Sequence, residues 1–366
     1  MPLTFEQAHK MFQQDKIREL ASDANGLRFI KLRSLNRKKI LLRLFEENKL
    51  QHPDAGGKAL FKAAYESPLT LRRIDAFIRH AYEQERGARR EREADLINEL
   101  YQMQNFDWGG LHQNSLEKTI IDNYVKRITQ YHELCERIDN ELQRSLRGYV
   151  LCSWYNHWTS IIIDDIFRDH PTVLPAVGLV KKIDFFIHDV PFDLKVTYLP
   201  EGYVSDARKD ADERPELTLL KRTARQFGIP INAELPANRL LEDLWQKVHD
   251  HPNAACQTLI RELREFRDEI VTDIHNHPEK LIKWLYEQQG IRRFDASNRL
   301  FLVLVDKRNY FESWKLKRAK PLLEAQIRAH LNNIGHEPGQ EVEFTWQDGN
   351  TYTVKADLVL VTHNDA

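Results

Sequence analysis

Cysteine is scarce in this 366-residue sequence: Cys135, Cys152 and Cys256 stand far apart and never form a Cys-x-x-Cys pair. That spacing argues against a disulfide scaffold, a zinc ribbon or thiol redox chemistry, and the three thiols are expected to be reduced and buried. Net charge is missing as well. Lys and Arg number 54 and Asp and Glu 55, giving −1 at pH 7, so affinity for a polyanion has to come from a local surface. Long apolar runs are absent. The stretch from Leu300 to Val305 falls far short of the roughly 18 residues a membrane span needs, so no membrane association is expected. The opening residues carry no basic segment followed by an apolar one, and the chain is expected to stay in the cytoplasm. What is present is a 42% hydrophobic share, ample for a substantial core, in a chain of about two domains' length.

From Phe5 to about Arg168 apolar residues recur at helical spacing, as in Ile40, Leu41, Leu44 and Phe45, with almost no strand signal. Turn chemistry at Asp107-Trp108-Gly109-Gly110 predicts a domain boundary there. Two basic clusters fall in this half. The first is Arg28, Lys31, Arg33, Arg37, Lys38, Lys39 and Arg43; the second is Arg86, Arg89, Arg90 and Arg92, interleaved with acids. The first has the better claim on a phosphate backbone, although most such runs are solvated helix faces. After His170-Pro171 three short β-rich runs follow, Val173 to Val177, Ile183 to Ile187 and Phe192 to Leu199. A polar stretch from Asp206 to Arg214 reads as a mobile loop. Helical spacing resumes at Leu217 to Phe227, Arg239 to Val248, Ala254 to Asn276 and Pro278 to Gln289. Asn298 to Asp306 reads as a buried strand, and Gln347-Asp348-Gly349-Asn350 as the turn of a C-terminal hairpin.

The chemistry concentrates in Lys181 to Thr197. Asp193 and Lys195 are two apart in a β-run and share one face, while Leu194 and Val196 point to the other. A tight turn at Asp189-Val190 is expected to fold the flanking runs into an antiparallel pair and bring Asp184 near them. Two carboxylates and a backbone carbonyl make a hard oxygen site suited to Mg²⁺, and a neighbouring ammonium can serve an attacking water.

An acid on one strand followed by acid-x-Lys on the next, here Asp184 and Asp193-Leu194-Lys195, resembles the PD-(D/E)XK nuclease superfamily. The resemblance covers about residues 137 to 306 in the order helix, three strands, helix and strand. It implies an α/β (α+β) fold with a restriction-endonuclease-like αβββαβ core, a helical N-terminal domain and a C-terminal β-hairpin. The corresponding segments are 1–110 for the helical domain, 111–320 for the core with a helical insertion near 200–255, and 321–366 for the last helix and hairpin. It also implies that Asp184, Asp193 and the Leu194 carbonyl hold Mg²⁺, with Mn²⁺ as a substitute, and that Lys195 serves the water. A further acid on the preceding helix is expected at Asp164 or Asp165, with Asp164 preferred. The sequence departs from the family in having Ile183 and not proline before Asp184, a long segment from Pro200 to about Ala254, and no Gln-x-x-x-Tyr signature. The later helices, which lead into Leu300 to Val305, are the preferred second core helix.

The resemblance implies a metal-dependent endonuclease on DNA in restriction or phage defence, acting as a homodimer or with defence-system proteins. The alternatives are a non-catalytic or partner-activated nucleic-acid-binding subunit of the same fold, and an RNA-directed nuclease. Lys307, Arg308, Tyr310, Phe311, Trp314, Lys315, Lys317 and Arg318 form the more attractive candidate substrate surface. His157, two turns before Asp164, is a candidate to approach the site. His249, His251 and Cys256 lack a fourth zinc ligand at sensible spacing.

Overall fold

The structure, a computed structural model, describes residues 2–35, 37–107, 120–178, 182–289 and 297–364. Six helices open the chain: α1 (Phe5–Gln13), α2 (Ile17–Ala21), α3 (Ala24–Arg33), α4 (Lys38–Glu47), α5 (Gly57–Glu66) and α6 (Leu71–Leu100). Their starts follow from capping chemistry. Thr4 and Gln7 form a reciprocal capping box on α1, the Asp23 carboxylate accepts from Asn25 and Gly26 at α3, and Thr70 caps α6. The helices bury Phe5, Phe29, Leu44, Phe61 and Ile78 together, and this core continues into Leu174, Ile183 and Phe186 at the edge of the sheet.

Gly26 lets α3 meet α2. A Cβ there would lie 2.1 Å from the Leu20 carbonyl oxygen, which is backbone and cannot step aside. Gly26→Ala is therefore expected to cost about 1–3 kcal/mol, measured as a drop in unfolding free energy by chemical denaturation.

Next, α7 (Tyr131–Arg137) passes through a π-helical turn, Ile138–Leu142, into the long α8 (Gln143–Arg168). Three strands follow, β1 (Val173–Pro175), β2 (Phe185–Ile187) and β3 (Val190–Tyr198), and then α9 (Glu201–Asp210), α10 (Glu216–Gln226), α11 (Ala237–His249), α12 (Ala254–Asn276) and α13 (Pro278–Glu287). The chain ends with β4 (Asn298–Asp306), a 3₁₀ helix (Tyr310–Arg318), α14 (Lys320–Asn333), β5 (Gln340–Thr345) and β6 (Thr351–His363).

The fold is mixed α/β, with an open six-stranded mixed sheet in the order β1-β2-β3-β4-β6-β5. The first three strands are antiparallel; β4 runs parallel to β3 and to β6. Alternation along each strand divides the sheet into two buried faces. Leu194, Leu300, Leu302 and Val359 pack under α8 and α14, whereas Phe301, Val303, Ala356 and Leu358 pack against α9, α12 and α13. All nine residues of β4 are buried, as its apolar run requires at the centre of the sheet. Helices α10 and α11 form their own small core with the first half of α12.

One expectation changes. The polar stretch from Asp206 lies largely in α9, because Val204 and Arg208 turn inward and the Arg208 guanidinium donates to the Arg214 carbonyl and lies over Phe266 at 4.6 Å. The C-terminal hairpin extends the same sheet beside β4, with Gly349 at φ +79° in its turn. The boundary expected at 107–110 falls mostly outside the described residues. No helix among the described residues is long and apolar enough to cross a membrane.

Candidate functional site

The β2–β3 hairpin carries the expected residues. Ile187 pairs with Val190, so the two-residue loop is His188-Asp189, one residue earlier than expected, with φ of +46° and +69°. Both central residues in the left-handed region fit the twist of a tight hairpin, and Asp tolerates that conformation. The Asp189 carboxylate accepts from Lys31 Nζ at 2.5 Å, and the same fully buried ammonium reaches Asp75 of α6 at 2.8 Å. The N-terminal helices thus grip the hairpin at its tip.

Asp184 sits just before β2. Its N–H donates to the Phe192 carbonyl at 2.9 Å, and its Oδ2 accepts from the Leu194 N–H at 2.7 Å. The carboxylate is thereby fixed across the hairpin with Oδ1 uncommitted among the described residues. Asp193 and Lys195 share a face, and Lys195 Nζ lies 2.8 Å from Asp193 Oδ1. Parallel pairing sets Arg299 of β4 beside Asp193, with Nε 3.8 Å from Oδ2 and the guanidinium 5.1 Å over the Tyr286 ring.

Asp164 comes from α8, whose C-terminal half lies on the sheet. It pairs with Arg168 one turn on, at 3.2 Å. Burial pushes its carboxyl up to about 6; the negative charges of Asp184 and Asp165 push the same way, against the pull of Arg168. Asp184 is also raised, first by burial and then by Asp193, with the Leu194 N–H, Arg168 and Lys195 opposing. Asp164 and Asp184 therefore sense one another in a partly desolvated space.

Asp165, the alternative acid, has a different task. It accepts from Arg89 at 2.7 and 2.8 Å and lies 3.6 Å from Arg86, tying α8 to α6. The second basic cluster is neutralised both by Asp165 and Asp169 across this helix pair and by its own neighbour Glu93, since Arg86 meets Asp169 at 3.0 Å and Glu93 at 2.7 Å.

Asp164, Asp184 and Asp193 are all carboxylates, the oxygen-donor type that a hard divalent cation takes. Arg168, Lys195 and Arg299 lie against these carboxylates, so a cation entering the site would have to compete with charges already in place. No group of three or more His, Cys, Asp or Glu side chains is already gathered as a metal cage among the described residues. Asp193 Oδ1 accepts from Lys195 Nζ at 2.8 Å.

Two residues of the site escaped the sequence reading. Arg168 follows Asp164 by four residues, so helical spacing signals it. Arg299 was visible only as a cation in an apolar run, and the β3–β4 register that brings it to Asp193 is a tertiary fact.

Other candidates do not join this group. His157 is exposed and contacts Trp158. In the first basic cluster Lys31 is fully buried and Arg28 donates to the carbonyls of Ala64, Tyr65 and Ser67, so these two are internal pins, whereas Arg37, Lys38 and Lys39 are exposed. The basic-aromatic stretch after β4 is likewise mostly internal. Arg318 donates to the carbonyls of Leu100 and Met103, Lys315 pairs with Glu312, and Trp314 packs in the core.

Lys317 is 9% exposed and donates to Asn156 Oδ1 at 2.9 Å. Burial lowers its ammonium to about 8. The folded chain therefore gives up this proton before the unfolded chain does, so stability rises with pH between about 8 and 10.5. Lys317→Met is expected to stabilise the fold at pH 7 by on the order of 1–3 kcal/mol, with the gain gone near pH 10.5, measured by urea denaturation at both pH values.

Comparison with protein-family models, with curated proteins and with solved structures gives no match to this chain.

Proposed function

We propose that this chain is a metal-dependent endonuclease of the PD-(D/E)XK type that hydrolyses DNA phosphodiester bonds, in a restriction or phage-defence setting. The observation that carries the reading is the placement of Asp184 against Asp193-Leu194-Lys195 across one hairpin, with Asp164 close enough for its charge to act on Asp184. The element order adds support: α8, three antiparallel strands, the helices α12 and α13 on one sheet face, and β4 parallel to β3. With α9, α10 and α11 taken as additions after β3, this order is compatible with the αβββαβ order that the motif implies.

Asp184, Asp193, Asp164 and the Leu194 carbonyl would hold Mg²⁺, or Mn²⁺ in its place. When bound, the ion supplies positive charge at the phosphate and lowers the pKa of a water. The chain's own groups do the rest. The Leu194 N–H fixes the Asp184 carboxylate, and Arg168 and Arg299 limit the repulsion among the acids. Lys195, 47% exposed beside Asp193, is placed to orient the attacking water or to stabilise charge developing on the phosphate.

The test is incubation of plasmid and phage DNA, modified and unmodified, with the chain in Mg²⁺, Mn²⁺ or EDTA. Nicking or linearisation with either metal and none in EDTA is the expected result. Folded protein that cuts nothing under any condition sinks the reading. It would favour a partner-activated or silent subunit, for which the closed Asp193–Lys195 pair is the specific observation. Cutting of RNA in preference to DNA would move the substrate class.

A further inference from the structure

Charge is divided unevenly along the chain. Residues 1–70, which carry α1 to α5, hold 13 Lys and Arg against 8 Asp and Glu, so the rest of the chain is net acidic. Part of this surplus is internal, as with Lys31 and Arg28. Arg37, Lys38 and Lys39 are different. They stand together where α3 passes into α4, all three are exposed, and none makes an ion pair or a side-chain hydrogen bond with the described residues. They also oppose their own helix. Arg37 is the N-cap of α4 and the two lysines open its first turn, which no side chain caps and no acid enters. Cations there face the positive pole of the helix dipole, which favours negative charge. Neither packing nor helix stability therefore accounts for these three side chains.

Their place in the fold points to a use. Just past β1, the Ala176 N–H donates to the Asp184 carbonyl at 3.2 Å. Two residues on, Gly178 lies against the end of α3: a Cβ on it would sit 2.4 Å from the Ser34 carbonyl oxygen. Lys182, two residues before Asp184, pairs with Asp15 between α1 and α2 at 2.6 Å. The N-terminal helices are thus seated directly on the chain that enters the candidate site. Counted along the backbone steps from Asp184 through Ala176, Gly178 and Ser34, Arg37 lies within about 28 Å of Asp184. That is less than one turn of B-form DNA, about 34 Å. We propose that Arg37, Lys38 and Lys39 grip the phosphate backbone of a DNA duplex whose scissile bond lies at the β2–β3 hairpin. The choice of partner rests on the nuclease reading of that hairpin. Contacts of this kind position the duplex and carry no sequence information, and they make binding depend steeply on salt.

Fluorescence anisotropy of a labelled duplex with the full chain, in EDTA and over a range of salt concentrations, tests it without any need for cutting. The wild type is expected to bind. Arg37→Gln with Lys38→Gln and Lys39→Gln should weaken binding by about tenfold or more at about 0.1 M salt, and flatten the slope of log Kd against log salt by about 2–3. Lys221→Gln with Arg222→Gln and Arg225→Gln, which neutralises another unpaired cation set in the separate helical core of α10 and α11, should change binding by less than about twofold. Lys38→Glu with Lys39→Glu should weaken binding further while its Tm holds or rises, since acids suit the first turn of a helix. A wild type that binds no duplex, a triple glutamine variant that binds and responds to salt like the wild type, or an equal loss in the α10 variant would overturn the proposal. So would a lowered Tm in the glutamate variant, or a preference for phosphatidylserine vesicles over the duplex. Patch-dependent binding by a protein that cuts nothing in Mg²⁺ or Mn²⁺ would uphold the grip and sink the nuclease reading. Cutting with binding indifferent to the patch would do the reverse.

Discussion

Lys195→Ala is expected to reduce metal-dependent cleavage of plasmid DNA by about 10²- to 10⁴-fold, the usual scale for a group that positions or deprotonates a nucleophile. It should leave the fold nearly untouched. Lys195 is 47% exposed and its partner in the structure is Asp193 at 2.8 Å, a contact whose loss costs no more than roughly 1 kcal/mol at such exposure. The variant also separates two roles. With the ammonium gone, Asp193 keeps its charge and loses its competitor, so Mn²⁺ affinity by calorimetry should hold or rise while cutting disappears. Asp184→Asn should behave in the opposite way: its neutral amide removes a buried negative charge, so metal affinity and cutting fall together. A Lys195→Ala protein that cuts as well as the wild type would refute the role assigned to the lysine. One that loses metal affinity and activity in parallel would make the lysine a structural partner only.

Much of this site was legible in the sequence because a β-strand has a period of two. Asp193 and Lys195 had to share a face wherever the strand lay, and Leu194 had to face the other way into the core. The buried run Asn298 to Asp306 likewise announced the central strand, which the structure places with the same bounds. What the sequence could not show was which of its charges are spent on packing. Lys31, Arg28, Arg86 and Arg318 look like surface cations in one dimension, yet each ends on carbonyls or carboxylates contributed by segments far along the chain. Composition does not report such partners, so a basic run is legible as a surface only after the helices have been packed. The same limit hid Arg299, whose closeness to Asp193 depends on the β3–β4 register. The segment from Asp206 to Arg214 failed for a related reason: the inward turn of Arg208 onto Phe266 and the Arg214 carbonyl makes a helical face from residues that read as loop.

The adjacent acids Asp164 and Asp165 are expected to respond with opposite signs to the same substitution. Asp164 has a carboxyl raised to about 6, chiefly by burial. Below about pH 4 it is protonated in both the folded and unfolded chain and favours neither state. Between about 4 and 6 the unfolded chain ionises first, so stability falls as pH rises. Above 6 the penalty is complete, on the order of 2–3 kcal/mol. Asp164→Asn should therefore stabilise the metal-free protein at pH 7 and give no gain near pH 4. Asp165→Asn removes the charge that faces Arg89 at 2.7 Å and Arg86 at 3.6 Å, and Arg86 is only 2% exposed. Asp169 and Glu93 still hold Arg86, so the loss should be about 2–4 kcal/mol, somewhat below that for a fully orphaned buried charge. Urea denaturation of both variants at pH 4 and 7 in EDTA measures the contrast. Repeating it in Mg²⁺ adds the functional arm, because a ligand that binds only the folded state raises its stability in proportion to affinity. Mg²⁺ should stabilise the wild type and Asp165→Asn by similar amounts and Asp164→Asn by less. Equal destabilisation by both substitutions would mean that the charge of Asp164 is already paid for by Arg168, and the case for a cation at this corner of the sheet would rest on Asp184 and Asp193 alone.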